Sequence, residues 1–306
     1  MILADPATGD PHRILAFGAG LIGTSVIDSL RLRTPLSLSV LPLDWSDASR
    51  RATDLAHVES EAMNAAVRGA RISILWSAGR AGFNGSEQST ALELDSWREV
   101  LAMSARIAGR FKGVAFHLVS SAGALFEGQR LVTRDAEPLP RRPYGRLKLE
   151  QERLLLAEDR FAARCIYRVS TAYGPLRPNV RAGLVSALLL AAARREVTRI
   201  TGRMDTLRDF VFSDDVGAFI ADAILGSEPR DEISVLASGR PSSLMEVQSM
   251  VEQVVGRRLL VTYERETANA EDITFAASLL PPSWQPSDLR WNIGRLHRRA
   301  VIAGTW

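Results

Sequence analysis

Cysteine is almost absent from this sequence: Cys165 stands alone, so no disulfide can form within the chain. The expected setting is therefore reducing and cytoplasmic. Lysine is nearly as scarce, with Lys112 and Lys148 the only two among 38 basic side chains. His12, His57, His117 and His297 are far apart and lack the His/Cys/carboxylate spacings that hold a metal, so no metal site is expected. Long hydrophobic runs are missing too. The longest, around residues 183–193, is too short for a membrane span and ends in Arg194-Arg195. Neither sign of charge dominates, at a formal net +3, and the basic residues are scattered rather than massed, which excludes a nucleic-acid footprint. Repeats and low-complexity segments are absent, and composition shifts nowhere, so no flexible linker is expected. Residues 1–12 carry Pro6, Gly9, Asp10 and Pro11 and no hydrophobic signal region; they read as a loose leader.

What is present is an ordinary globular composition, 46% hydrophobic and 24% charged, long enough at 306 residues for one large α/β unit or two joined domains. Residues 13–17 form an apolar run that meets Gly18-Ala19-Gly20-Leu21-Ile22-Gly23, after which Val26, Ile27 and Leu30 recur at helical spacing. Strand, Gly-x-Gly-x-x-Gly, helix is the context in which glycines let a backbone approach a pyrophosphate at a helix N-terminus. A second strand is expected over 36–44, ending at Asp44, about twenty residues past the last glycine, where a carboxylate can accept hydrogen bonds from an adenosine ribose. Arg50 and Arg51 follow closely and could instead hold a 2′-phosphate, which leaves NADP open beside the favoured NAD. Thr53-Asp54-Leu55 precedes a helix expected to run to 67. Further strands are expected over 71–76, 114–119, 165–169 and 232–237, and helices over 92–107, 182–194 and 245–255. Strands alternating with helices at this spacing argue a doubly wound parallel sheet, with ligands at the carboxyl ends of its strands.

The chemistry concentrates in Pro143-Tyr144-Gly145-Arg146-Leu147-Lys148. In a helix opening at Pro143, Tyr144 and Lys148 share one face. A neighbouring ammonium favours negative charge on a phenol oxygen, so Tyr144 could exchange a proton with a substrate hydroxyl.

With these residues assembled, the sequence resembles the extended short-chain dehydrogenase/reductase family, in particular its nucleotide-sugar epimerase/dehydratase branch, over nearly the whole chain. The matching parts, in order, are the glycine loop, Thr53-Asp54-Leu55, Ser77-Ala78-Gly79, Ser120-Ser121, Tyr144 with Lys148, Arg168 through Thr171-Ala172-Tyr173-Gly174-Pro175, and Arg208-Asp209-Phe210 through Asp214-Asp215-Val216. The resemblance implies a Rossmann-type sheet over 1–174, with 208–237 returning to it, and a smaller C-terminal substrate-binding lobe from 175–207 and 238–306. It implies a cofactor site of Gly18, Gly20, Leu21, Ile22, Gly23, Asp44, Asp54, Leu55, Ala78, Gly79, Ser120, Tyr144, Lys148 and Val169. Thr171 and Arg208 would face the substrate, a nucleoside-diphosphate sugar, with Arg208 on its pyrophosphate. Lys148 would hold the nicotinamide ribose.

Three departures qualify the resemblance. Phe17 stands where the branch commonly has the first glycine of its loop. Ala122 falls where the family's catalytic hydroxyl belongs, so Ser121 or Ser120 must supply it; Ser121 is the nearer. The Thr-Asp-Glu of the 4,6-dehydratases is replaced by Ser121-Ala122-Gly123-Ala124, which disfavours dehydration. The favoured activity is thus an NAD-dependent, 4-epimerase-like oxidoreductase with Tyr144, Lys148 and Ser121 as catalytic residues. The alternatives are an NADP-linked reductase or dehydrogenase of a ketosugar or other small carbonyl, and a non-catalytic dinucleotide sensor. Apolar residues on more than one face of the helices around 92–107 and 144–156 lead to the expectation of a homodimer.

Overall fold

The computed structural model describes residues 1–7, 11–67, 70–79, 81–83, 85–176, 183–264 and 271–303. Gly9 and Asp10 of the expected leader, and the expected helix start at Ala182, lie outside them. In chain order the elements are β1 (Ile2–Pro6), β2 (His12–Phe17), α1 (Leu21–Arg33), β3 (Leu36–Val40), α2 (Ala48–Val67), β4 (Arg71–Trp76), α3 (Glu87–Ala108), β5 (Val114–Ser121), α4 (Ala122–Leu125), α5 (Pro143–Leu156) and β6 (Ala163–Val169). They continue with β7 (Thr171–Tyr173), α6 (Leu184–Arg194), β8 (Thr198–Thr201), β9 (Leu207–Arg208), β10 (Phe210–Phe212), α7 (Ser213–Leu225) and β11 (Glu232–Leu236). The last are β12 (Ser242–Ser243), α8 (Leu244–Val255), β13 (Val261–Glu264) and α9 (Leu289–Ala303).

The chain divides into two compact units: Met1–Leu125 with Pro140–Arg168 and Gly217–Ser234, and Phe126–Leu139 with Val169–Val216 and Val235–Trp306. The first is built on a seven-stranded, mostly parallel, Rossmann-like sheet in the order β11-β6-β5-β4-β2-β1-β3. β2, β4 and β5 run parallel, Ile14 opposite Ser73 and Ile74 opposite Phe116. Because side chains alternate along a strand, Leu15, Phe17, Ile74, Trp76, Phe116 and Leu118 fall on one face and His12, Ser73 and His117 on the other. The first face packs into one apolar cluster with Leu55 and Val58 of α2, Trp97 and Val100 of α3 and Leu155 of α5. An aromatic row, Trp45, Trp76, Trp97, Phe116 and Phe161, runs through it with ring centroids 5.1 to 5.7 Å apart. Trp45, at the end of the row, is exposed, and each of the four buried rings contributes on the order of 2 to 3 kcal/mol. α1 and α7 meet tightly, since a side chain at Gly217 would overlap the Ser25 backbone.

The polar face is partly satisfied from within, with His117 Nε2 left without a partner among the described residues. His12 bonds the Ser73 hydroxyl at 2.9 Å, and His117 bonds the Tyr167 hydroxyl at the same distance. Burial pushes His12 down to about 4 and His117 to about 3, so both imidazoles are neutral.

Three expectations are corrected. The N-terminal segment is no loose leader where it is described: residues 2–6 form β1, antiparallel to both β2 and β3, with Leu3 and Ala4 buried and the Asp5 carboxylate paired with Arg13. β3 ends at Val40, four residues short of Asp44, because β1 is exhausted: the last ladder pair is Ile2 with Val40, and Leu41 donates its N–H to Met1. α2 also starts earlier than expected, at Ala48, because Asp47 accepts the N–H of Arg50 and caps it.

The second unit has its own core. Leu188, Leu189, Phe210, Phe212, Val247, Val251 and Ile293 pack together, and α8 is held by a full capping box of Ser243 and Glu246. β7 pairs in parallel with β10, β13 with β8, and β12 antiparallel with β9.

Candidate active site

The glycine turn follows β2 directly. Gly18 takes φ +99°, the left-handed region that favours glycine, and a side chain there would run into the backbone of Ala78. Gly23 is packed against the Gly18 carbonyl and the Ser77 hydroxyl just as closely. Ser77 donates to the Gly18 carbonyl at 2.8 Å and so fixes the turn from β4. Gly20 is different. It caps α1 with no side-chain hydrogen bond, and a Cβ there would meet nothing within 4 Å. The first turn of α1, with Leu21 and Ile22 half-buried, thus presents backbone N–H groups beneath open space, which is what a dinucleotide phosphate requires.

Beyond β3 lies a cavity of about 750 Å³ lined by Asp44, Trp45, Ser46, Ser49, Arg50, Thr53 and Asp54 among others. Asp44 accepts from the Ser46 hydroxyl at 2.6 Å and from the N–H groups of Ser46 and Asp47, bonds that hold its carboxyl below the usual range. Asp54 accepts the Asp44 N–H at 2.8 Å. Arg50 is exposed, 3.8 Å from the Asp44 carboxylate. Arg51 is committed elsewhere, buried in a bidentate pair with Glu99. Leu55 is buried in the apolar cluster of the first unit.

α5 opens at Pro143, whose fixed φ suits the first helical position. Tyr144 is half-buried and Lys148 buried, with the ammonium nitrogen 5.6 Å from the centre of the Tyr144 ring. Gly145 lets the helix seat against α4: a Cβ there would lie 2.5 Å from the Ala124 carbonyl. That contact brings the end of β5 to the start of α5. The two serines there divide. Ser120 is buried and donates to Glu152 at 2.5 Å, the same carboxylate that Arg168 clasps at 2.7 Å. Ser121 accepts the Ala124 N–H at 3.3 Å, which leaves its own proton for another acceptor. Ala122 is fully buried and offers no hydroxyl.

Sequence reasoning passed over two residues at this site. Glu93 is buried in α3, accepts the Ala81 N–H at 3.0 Å and lies 3.7 Å from Lys148. Its signal was an acid at the position four before Trp97 and seven before Val100, on the core face of an amphipathic helix. Gln151, one turn past Lys148, accepts from its ammonium at 3.0 Å.

Val169, Thr171 and Arg208 belong to the second unit. Val169 is buried, and Thr171 donates its N–H to Asp209. Arg208 donates to the carbonyls of Leu207 and Glu271. Asp209 is buried, accepts the N–H groups of Ser238 and Gly239, and is raised by its burial. Trp284 is buried and donates to the Ala237 carbonyl, whereas Trp291 is exposed beneath Arg298. Among the described residues no group of His, Cys, Asp and Glu is placed to hold a metal ion, and no helix is long and apolar enough to cross a membrane.

Residues 15–233 match the sequence profile of the NAD dependent epimerase/dehydratase family. No curated protein matches the chain. Among solved structures it is similar to the Thermus thermophilus UDP-glucose 4-epimerase complexed with NAD, at 20% identity and TM-score 0.73, covering 94% of this chain and 99% of that one. The UDP-glucuronic acid 4-epimerase of Bacillus cereus, in complex with UDP-glucuronic acid and NAD, aligns at 17% and 0.68 over 94% and 99%. RMD from Pseudomonas aeruginosa, complexed with NADPH, aligns at 18% and 0.73 over 93% and 97%. At these identities the likeness is one of fold.

Proposed function

We propose a function from one premise: this chain belongs to the NAD dependent epimerase/dehydratase family. On that premise it is an NAD-dependent, 4-epimerase-like enzyme acting on a nucleoside-diphosphate sugar. The observation that carries the reading is Tyr144 and Lys148 on one face of α5, the ammonium 5.6 Å from the ring. The open first turn of α1 at Gly20 fits a dinucleotide phosphate, and the 750 Å³ cavity at Asp44 and Asp54 fits its adenosine.

NAD, when bound, supplies a hydride acceptor that can return what it takes. Tyr144 removes the proton of the sugar hydroxyl and later restores it. Lys148 holds the ribose and lends its charge to the Tyr144 oxygen, and Ser121 donates to the reacting sugar oxygen. Val169 would lie beside the nicotinamide, Ala78 and Gly79 would line the cofactor, and Thr171 and Arg208 would contact the substrate, where a guanidinium matches two phosphate oxygens. We assign cofactor binding to 1–174 with 208–237 and substrate binding to the remainder, a division by ligand that differs from the packing units, in which 126–139, 169–174, 208–216 and 235–237 belong to the second. The neighbours' UDP-sugars make UDP-glucose and UDP-glucuronic acid the first substrates to try.

A second reading, an NADP-linked reductase of a ketosugar, draws support from Ser49 and exposed Arg50 in the wall of the cavity, donors suited to a 2′-phosphate. Mass spectrometry of the cofactor that survives purification, then proton NMR of UDP-sugars incubated without added cofactor, separates the two. Epimer formation with bound NAD supports the first; NADPH consumption with no epimerisation replaces it with the second.

The same reading places the enzyme in the cytoplasm as a homodimer. Of the apolar residues on α3 and α5, Trp97, Leu101, Met103 and Leu147 are buried within the chain, while Leu92 and Leu156 stay exposed for a partner copy. A monomer by light scattering at micromolar concentration would end that part.

A further inference from the structure

We propose that Glu93 is a positioning residue that fixes the Lys148 ammonium and ties it to the backbone at Gly79 and Ala81. The proposal rests on the reading of Lys148 as the catalytic lysine. Glu93 and Lys148 come from different helices, α3 and α5, and their side chains are 7% and 6% exposed. A carboxylate and an ammonium so far from solvent persist only where each compensates the other or hydrogen bonds do. One Glu93 oxygen, Oε2, is spent on the Ala81 N–H at 3.0 Å. The other, Oε1, has no hydrogen-bond donor among the described residues and faces the Lys148 nitrogen at 3.7 Å. Among those residues Lys148 is the one cation at ion-pair distance from it.

Around the ammonium stand Gln151 at 3.0 Å and the Tyr144 ring from its own helix, and Glu93 from α3, the only carboxylate at ion-pair distance among the described residues. Of three ammonium N–H groups, one is taken by Gln151 and one turns toward Glu93, so a single direction remains for a ribose hydroxyl or the phenol oxygen. The carboxylate therefore decides where the charge of Lys148 sits. It also reaches the turn after β4. Gly79 has φ +150°, and a Cβ there would lie 2.6 Å from Oε1, so only a glycine leaves the carboxylate in place. One side chain thus binds the loop that lines the cofactor to the lysine that works beside it.

The chain's lysine poverty supplies the test. Lysine-selective ¹⁵N labelling of the purified protein gives two side-chain signals, with exposed Lys112 as the internal reference. Glu93→Gln keeps an acceptor for Ala81 but removes the charge; Glu93→Leu removes both. At fixed neutral pH the Lys148 side-chain signal should change position in Glu93→Gln, because the carboxylate facing its ammonium is gone, while the Lys112 signal stays where it is. NAD affinity, read by tryptophan fluorescence, should change less than about 3-fold in Glu93→Gln and weaken about 10-fold or more in Glu93→Leu. Should Glu93→Leu fail to fold, Gly79→Ala replaces it, since its methyl displaces the same carboxylate and should shift the Lys148 signal alike. Identical Lys148 signal positions in wild type and Glu93→Gln overturn the proposal. So does wild-type NAD affinity in a folded Glu93→Leu. Full turnover in Lys148→Met, with the Lys148 signal of Glu93→Gln shifted as expected, would instead sink the catalytic reading and leave the Glu93 pairing standing.

Discussion

Lowering the pH from 8 to 5 should cost the first unit about 4 kcal/mol of folding stability, through two buried imidazoles. His12 and His117 are 4% and 0% exposed, and burial lowers them to about 4 and about 3 from an ordinary 6.5. A group whose folded value is depressed adds stability above its unfolded value and loses it as the pH falls toward the folded one. At pH 5 an unfolded imidazole gains about 2 kcal/mol from protonation, and the folded ones gain almost nothing, so each residue costs about 2 kcal/mol. Against a total of roughly 5 to 15 kcal/mol for an ordinary domain, that is a large share. Urea unfolding followed by tryptophan fluorescence at pH 8 and pH 5, at one ionic strength, measures it. His117→Gln should remove about half of the difference whatever it does to stability at pH 8. Asp209, raised by burial, runs in the opposite sense, so the variant is the decisive comparison. A wild-type difference below about 1 kcal/mol, or a His117→Gln profile parallel to it, would refute the reasoning.

Four further outcomes concern the site. Tyr144→Phe should bind NAD nearly as wild type yet lose turnover by orders of magnitude in a steady-state assay, because only the proton-transferring oxygen is gone. Ser121→Ala should lower turnover about 10- to 100-fold, the scale of one hydrogen bond to a charged oxygen. Ser120→Ala should spare turnover and cost about 1 kcal/mol in denaturant melts, since it loses only its bond to Glu152; the reverse ranking would reassign the hydroxyl. Arg208→Ala should raise the KM for a nucleotide-sugar far more than the Kd for NAD, and equal losses would assign Arg208 to holding the Leu207 and Glu271 carbonyls instead.

Local signals carried much of this molecule. The apolar run at 71–76 is a buried strand because every residue from Ile72 on has core on one side and a helix-covered face on the other. The glycine turn and the Tyr-x-x-x-Lys pair were legible because each is a short-range geometric requirement. What escaped was set by partners distant in sequence. β1 is five residues long and contains Asp5 and Pro6, and its place depends on Arg13 and on a strand beginning at Leu36. That Ser120 bonds Glu152, and Glu93 faces Lys148, follows from α5 packing on β5 and beside α3 on one face of the sheet, which no spacing along one segment encodes.

The strand β1 has a kinetic corollary. Its pairing with β2 joins residues about a dozen apart, a hairpin-scale closure that proceeds in about 1 to 10 μs, whereas parallel pairs such as β2 with β4 must wait for some sixty residues to be arranged. The hairpin therefore forms as the early, low-contact-order piece of an otherwise slow, parallel sheet. Once formed, it exposes one ready antiparallel edge to which β3 can zip in a single register, Ile2 to Val40 through Pro6 to Leu36. An element of five residues thus sets the order of assembly at that end of the sheet, and slow refolding is expected to reside in the parallel strands beyond it.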